Sequence, residues 1–138
     1  MRVLAVDYGF SRIGIAVGET DPGIASPRLP LAASGSLRTD ADHISESAKK
    51  EEAERIVVGL PIEPDGKHGR MARVCTQLVK HLTDLGWTVA VVDERLSSVS
   101  ADAQLREEGL KASQRRKRID GEAAAVIFQR YVDEQISP

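Results

Sequence analysis

Residues 2–18, RVLAVDYGFSRIGIAVG, contain two apolar runs separated by a short turn. Residues 3–6 predict a buried strand that ends at Asp7, and residues 13–17 predict a second strand. Gly9 lies in the turn that pairs the two strands. The chain therefore begins with a hairpin, and a carboxylate ends its first strand.

The rest of the chain alternates between strand and helix patterns. Strands are predicted at residues 24–33, 55–60 and 87–94, and helices at 71–85, 119–135, from Thr39 or Asp40 to about 54, and from Ser97 or Ser98 to 109. Pro27 and Pro30 mark the third strand as an edge strand. This order indicates an α/β fold in which helices flank a five-stranded mixed sheet, with the first, fourth and fifth strands parallel. The length of 138 residues suits a single domain.

Three acidic residues occupy positions that would bring them together. Asp7 ends the first strand, Glu94 ends the apolar run at 89–92, and Asp120 opens the last predicted helix, whose inward face comprises positions 124, 127, 128 and 131. The carboxyl ends of parallel strands meet at one edge of a sheet, where ligands bind. Carboxylates gathered in a partly dry site require compensation, and divalent cations are the simplest means.

Each acid also has a structural explanation. Asp7 could be a turn residue, Glu94 could pair with Arg95, and Asp120 could be a helix N-cap. The joint occurrence of the three favours a shared site.

Basic residues are concentrated just before Asp120, although the net charge of the chain is only -2. We expect a loop there that contacts phosphate, formed by Lys111, Arg115, Arg116, Lys117 and Arg118. A second polar loop, between Gly59 and Gly69, opens at the same edge of the predicted sheet and carries Asp65, Lys67, His68 and Arg70. These side chains either border the cleft or form a plain surface loop.

The sequence has no pattern of a secretory signal and no apolar stretch of the roughly 20 residues that a membrane span needs. Its one cysteine, Cys75, excludes an internal disulfide and lies on an apolar helical stripe. We expect a soluble cytoplasmic protein without a membrane partner, present as a monomer or weak homodimer.

Four motifs together resemble the YqgF family of Holliday junction resolvase-like proteins. They are Asp7-Tyr8-Gly9 with Arg12-Ile13-Gly14, Val58-Gly59-Leu60-Pro61 with Asp65-Gly66, Asp93-Glu94-Arg95-Leu96-Ser97, and Ile119-Asp120 with Ala123-Ala124. The resemblance implies a ribonuclease H-like fold and a nuclease that matures the 5' end of pre-16S ribosomal RNA. It also implies an acidic catalytic site at Asp7, Glu94 and Asp120, with Arg12 and Arg95 nearby.

The chain departs from the family pattern in two places. Ser97-Ser98 replaces a common threonine pair and keeps the hydroxyls, whereas Lys67-His68 adds charge where the family often has a small polar residue. The fourth carboxylate that true junction resolvases carry a turn after the third has no equivalent, because Glu122 points elsewhere on the predicted helix.

The expected chemistry is phosphodiester hydrolysis with two Mg²⁺ or Mn²⁺ ions about 4 Å apart. Asp7, Glu94 and Asp120 would hold the ions, and basic side chains would hold the nucleic acid: Arg12, Lys67, Arg95, Arg115, Arg116, Lys117 and Arg118. The chain has two Phe, two Tyr and one Trp, so recognition of structured RNA by shape is expected rather than base stacking.

Three other functions compete with this one. A resolvase acting on DNA junctions would use the same acids, and a non-catalytic nucleic-acid-binding or transcription factor would leave them structural. Sugar kinases and heat-shock ATPases share the Asp-x-Gly motif, but they need two such domains and a glycine-rich adenosine motif that this chain lacks.

Overall fold

The computed structural model describes residues 1–61, 69–93 and 112–136, with the backbone alone at 112–120 and at 136. Its strands are β1 (Arg2–Tyr8), β2 (Arg12–Glu19), β3 (Ile24–Ala32), β4 (Arg55–Leu60) and β5 (Val89–Asp93). Its helices are α1 (Leu37–Lys50), α2 (Arg70–Asp84) and α3 (Ala112–Ile136). The helix predicted to end at residue 109 lies outside the described residues.

The strands form one five-stranded sheet in the order β3-β2-β1-β4-β5. β1 pairs antiparallel with β2 and parallel with β4, which in turn pairs parallel with β5. The predicted mixed sheet, with its first, fourth and fifth strands parallel and β3 at an edge, is therefore confirmed.

Alternate side chains of β1 pack against different layers of helix. Leu4, Val6 and Tyr8 join a buried cluster with residues of α1 and α2. Val3 and Ala5 join a second cluster with Ile127, Phe128 and other residues of α3. Because successive strand residues point to opposite faces, the side chain of Asp7 lies on the same face as Val3 and Ala5, toward α3.

The predicted start and end of α1 were wrong by a few residues. The N-cap is Ser36, whose hydroxyl accepts a hydrogen bond from the Thr39 amide at 3.4 Å, so neither Thr39 nor Asp40 caps the helix. The helix stops at Lys50 because Glu52 takes a left-handed conformation with φ of 58°. The Ala53 amide then donates to the Ala48 carbonyl at 2.8 Å, which closes the helix end.

The predictions for α2 and β5 were close to the structure. α2 buries Ala72, Cys75, Leu78 and Leu82, so the thiol is a core residue as expected. β5 begins at Val89 rather than at Trp87, because Trp87 belongs to the connection that closes α2. Its amide donates to the Leu82 carbonyl at 3.2 Å and its indole N–H donates to the Ser45 hydroxyl at 2.8 Å.

The beginning of the last helix was predicted wrongly. Residues 111–118 were expected to form a loop, but α3 already includes residues from Ala112 onward. Asp120 therefore lies inside the helix instead of opening it, which excludes an N-cap role. None of the helices in the described ranges combines the length and apolar character that a membrane crossing requires.

Candidate active site

The carboxyl ends of the three parallel strands meet at one edge of the sheet. In the register of the strands, Val6 lies beside Val58, and Leu60 lies beside Asp93. Asp7 is thus at the edge where β4 and β5 also end, as the sequence predicted. This carboxylate is half-buried and belongs to the α3 face of the sheet.

The turn after Asp7 depends on a glycine. The Gly9 amide donates to the Arg12 carbonyl at 3.0 Å, and a Cβ atom at position 9 would lie only 2.7 Å from that oxygen. Any side chain there would force the turn open. The Ala33 amide also donates to the Ser11 carbonyl at 2.9 Å, which holds the turn against the chain beyond β3. Arg12 follows the turn, is exposed, and lies at the same edge as Asp7.

Tyr8 and Asp40 form a buried pair directly beside the proposed catalytic strand end. The Tyr8 hydroxyl donates a hydrogen bond to Asp40 Oδ2, and Asp40 Oδ1 accepts from the Ser34 amide at 2.8 Å. Burial, followed by the hydrogen bond and the charge of Asp40, raises the pKa of Tyr8 above its ordinary value. The pair fixes the end of β1 to the first turn of α1.

Sequence reasoning missed this pair. Asp40 was interpreted as a possible helix cap, because an aspartate at the start of a polar helix usually has that role. A weak signal existed, since Tyr8 alternates with Val6 and Leu4 and so had to be buried with its hydroxyl. Nothing in the sequence indicated which residue would accept the hydrogen bond.

The end of β5 is held by α3. The Arg130 guanidinium donates to the carbonyl oxygen of Asp93, the residue before Glu94. Tyr131, the next residue of the helix, accepts a hydrogen bond at its hydroxyl from Arg55 Nη1 at 2.7 Å. Two strands of the parallel set are therefore tied to the helix that also carries Asp120.

The structure positions some of the predicted site residues and leaves others undescribed. Asp7 and Arg12 are at the expected edge, and Arg70 opens α2 with its guanidinium carbon 5.5 Å from the centre of the exposed Phe10 ring. Lys67, Glu94, Arg95 and Lys111 lie outside the described residues. For Asp120, Arg115, Arg116, Lys117 and Arg118, the helical backbone alone is described. The proximity of the three acids therefore stays a prediction.

Several curated relatives match nearly the whole chain. A protein of Anaeromyxobacter sp. (strain K), named "Putative pre-16S rRNA nuclease", is 41% identical over 137 residues, covering 96% of this chain and 97% of the relative. A relative with the same name in Chloroflexus aggregans is 35% identical, and the match covers 99% of this chain and 96% of the relative. Another, in Ruminiclostridium cellulolyticum, is 34% identical, and the match covers 96% of this chain and 94% of the relative.

Solved structures with the same fold include T. thermophilus RuvC in complex with a Holliday junction substrate. The TM-score is 0.58 at 14% sequence identity, and the match covers 99% of this chain and 98% of RuvC. A second T. thermophilus RuvC structure gives a TM-score of 0.52 at 15% identity, with 99% and 96% covered. The likeness confirms the ribonuclease H-like fold.

The model of one protein family, described as "RuvX: Holliday junction resolvase", matches residues 1–134. The match spans all four motifs that suggested the YqgF family, and YqgF and RuvX denote the same family. Together with 41% identity to a curated relative over 137 residues, it shows that the chain belongs to the RuvX family.

Proposed function

We propose that this protein is a divalent-metal-dependent nuclease that hydrolyses phosphodiester bonds during 5'-end maturation of pre-16S ribosomal RNA. The observation that carries the proposal is the half-buried Asp7 carboxylate at the carboxyl edge of the parallel strands, in a chain that belongs to a nuclease family. The names of the curated relatives support the choice of RNA substrate.

The proposed site combines Asp7 with Glu94 and Asp120. Val92 packs on the α3 face of the sheet, and Glu94 comes two positions after it. Two positions is the offset at which side chains of a strand share a face. Asp120 precedes the buried Ala124 by four positions, the equivalent offset in a helix. Both offsets favour a common site with Asp7.

The donor chemistry of these residues fits Mg²⁺ or Mn²⁺. Hard cations prefer oxygen ligands, and the half-buried Asp7 supplies a carboxylate at the edge of the sheet. Among the side chains that the structure describes, no three potential ligands lie together, and two of the three proposed ligands are not in that set. When bound, two such ions would neutralise phosphate charge and make a water molecule more acidic.

The chain's own side chains bind and orient the substrate. Asp7, Glu94 and Asp120 would hold the ions, while Arg12, exposed at the same edge, would bind a phosphate that flanks the cut. Lys67, Arg95, Arg115, Arg116, Lys117 and Arg118 are proposed to bind further phosphates, which gives affinity without reading the base sequence.

A cleavage assay tests the proposal directly. Purified protein should cut a pre-16S 5'-leader RNA in Mg²⁺ or Mn²⁺, and Asp7→Asn, Glu94→Gln and Asp120→Asn should each reduce cleavage to background. Glu46→Gln is a matched control, because this exposed carboxylate lies on α1, across the sheet from α3. Cleavage that survives all three site substitutions would refute the assignment.

Metal binding and stability provide a second readout. Without metal, Asp7→Asn should melt at or above the wild-type temperature, because it removes a charge from a group of like charges. Saturating Mn²⁺ should raise the melting temperature of wild type and raise that of Asp7→Asn much less. A strongly destabilised metal-free Asp7→Asn would indicate that Asp7 is structural.

A DNA junction resolvase is the second candidate, favoured by the description of the family model and by the RuvC fold. Depletion experiments separate the two candidates. Cells that lack the protein should accumulate 16S precursors with unprocessed 5' ends. Expression of the wild-type protein, but not of Glu94→Gln, should restore processing of these ends. Normal 16S ends, together with cleavage of four-way DNA junctions in vitro, would favour the resolvase.

A further inference from the structure

One aromatic ring lies exposed beside the proposed catalytic edge. Phe10 is 60% exposed, whereas Tyr8, Phe128 and Tyr131 are at most 6% exposed. The remaining aromatic residue, Trp87, is partly buried and donates a hydrogen bond to Ser45. In the described part of the chain, Phe10 is thus the aromatic side chain that solvent reaches freely.

The ring is held from one side by a cation. The guanidinium carbon of Arg70 lies over the Phe10 ring, 5.5 Å from its centre, a cation–π geometry. Phe10 is still 60% exposed with Arg70 in place, so most of its surface is open to solvent. A second planar group could stack there without displacing Arg70.

The position of the ring relates it to the cut. Phe10 follows Asp7 by three residues, so their Cα atoms are at most about 10 Å apart. A stacked strand advances about 3.4 Å per nucleotide and an extended single strand advances more, so this separation spans at most about three nucleotides. A group stacked on Phe10 would therefore lie close to the scissile phosphate.

The surroundings favour a nucleic acid over an apolar partner. Arg12 follows Phe10 by two residues, Arg70 lies over its ring, and both arginines are exposed. Exposed aromatic rings among cations are typical of sites that bind single-stranded nucleic acid. Bases in the interior of a duplex have their faces covered by their neighbours, so only an unpaired or terminal base offers a face.

We propose that Phe10, backed by Arg70, is a stacking site for an unpaired nucleobase next to the cleaved bond. The proposal rests on the nucleic-acid substrate proposed above and adds that the strand is single-stranded or frayed within about three nucleotides of the cut. The small number of aromatic residues predicted recognition of RNA by shape rather than by base stacking. The proposal changes that expectation, because one well-placed ring is enough to stack one base.

Binding measurements in EDTA, which prevents cleavage, test the inference. The probes are an RNA duplex with a single-stranded tail that carries 2-aminopurine and the same duplex with a blunt end. Phe10→Leu keeps apolar volume but removes the ring, so it should weaken binding of the tailed probe roughly 5- to 100-fold and change binding of the blunt duplex less than about twofold. Phe10→Trp should retain affinity for the tail and quench 2-aminopurine at least as well as wild type.

Each result has a defined meaning. Equal affinities of wild type and Phe10→Leu for the tailed probe, with Mn²⁺-dependent cleavage intact, would overturn the stacking site and leave the nuclease standing. Weaker binding of the tailed probe alone by Phe10→Leu, without cleavage by wild type, would support the stacking site and refute the nuclease. A wild-type protein that binds neither probe would overturn both. Unchanged melting temperatures of the variants would show that the fold is intact.

Discussion

Asp40 shows how a buried polar side chain can organise a site without taking part in its chemistry. It is fully buried in the first turn of α1, and it accepts hydrogen bonds from the Tyr8 hydroxyl and the Ser34 amide. Tyr8 immediately follows Asp7, so the pair sets the point at which β1 ends. We infer that it positions the Asp7 carboxylate, the proposed catalytic group, through the backbone.

Tyr8→Phe should lower the free energy of unfolding by about 1–3 kcal/mol, because it leaves a buried carboxyl oxygen without its donor. Tyr131→Phe is the matched control, since it removes another buried hydroxyl whose partner, Arg55, is partly exposed and can turn to water. Urea unfolding of the two variants measures the difference. If both variants lose the same free energy of unfolding, removing the donor to Asp40 has no extra cost, which would contradict the prediction.

The same pair predicts a pH effect in alkaline solution. Burial and Asp40 raise the pKa of Tyr8 above its ordinary value of 10.0, so above that pH the unfolded chain loses this proton and the folded protein keeps it. The stability provided by Tyr8 is present below pH 10 and is lost as the pH rises. The advantage of wild type over Tyr8→Phe should shrink by about 1.4 kcal/mol per pH unit above pH 10.

At the scale of elements, α3 packs against β2 and β3 where two glycines leave room for it. A Cβ atom on Gly18 would lie 2.8 Å from the Phe128 ring, and one on Gly121 would lie 2.8 Å from the Pro27 Cβ. These two glycines therefore set the distance between helix and sheet. Because Gly121 follows Asp120, they also set the height of that residue above the sheet.

Gly121→Ala should destabilise the protein by about 1–3 kcal/mol through overpacking against β3. It should also reduce cleavage at temperatures where the protein stays folded, because the helix must move near Asp120. Gln129→Ala, an exposed change on the same helix, is the control and should affect neither property. Full activity of folded Gly121→Ala would show that cleavage does not depend on the distance between α3 and the sheet near Asp120.

The basic segment at residues 115–118 belongs to the same helix. Replacing Arg115, Arg116 and Arg118 with Ala should weaken binding of all RNA sequences alike and flatten the salt dependence, by about 0.7 to 0.9 in slope for each phosphate that is no longer neutralised. The control, Lys49→Ala with Lys50→Ala, removes exposed charge at the end of α1. An unchanged salt slope in the triple variant would remove the segment from the binding surface.

The sequence predicted the strands better than the last helix, for a physical reason. Buried runs such as residues 3–6 and 55–60 carry a strong apolar signal. Residues 112–118 have no apolar periodicity, and the closely spaced cations suggested a solvated loop. Their Ser, Gln, Lys and Arg side chains are nevertheless compatible with a helix.

At the scale of the whole molecule, the two ends of the sheet carry different groups of polar residues. At the end opposite Asp7, Glu51 accepts hydrogen bonds from Arg28 Nε at 2.8 Å and from Arg2 Nη2 at 3.1 Å. Arg28 is the main cause that lowers the pKa of Glu51. This network joins β1, β3 and the end of α1.

Glu51→Gln should destabilise the protein by about 1 kcal/mol at pH 7 and leave cleavage unchanged. Because the folded-state pKa of Glu51 is lowered from 4.5, its contribution is present above that pH and is lost as the pH falls through the folded value. Unfolding measured at pH 7 and pH 3 should show wild type and variant converging in acid. A constant difference would mean that the charge of Glu51 is not responsible.

The parallel arrangement of β1, β4 and β5 and the edge at which Asp7 lies were predicted from the sequence, because strand patterns are local and helical crossovers make the strands that they connect parallel. The contacts of Tyr8 with Asp40 and of Phe10 with Arg70 did not, since each joins side chains far apart in the chain. No periodicity specifies which distant side chain meets another. Those pairings are decided by packing in three dimensions.

The alternation along β1 has a consequence for how this protein can evolve. Odd-numbered positions of the strand serve α3 and end with Asp7, while even-numbered positions serve α1 and α2 and end with Tyr8. Swapping one aliphatic residue for another preserves this parity, but inserting or deleting a single residue before Asp7 reverses it. The carboxylate would then enter the apolar layer and the tyrosine would lose Asp40. The strand can therefore vary in composition while its length remains fixed.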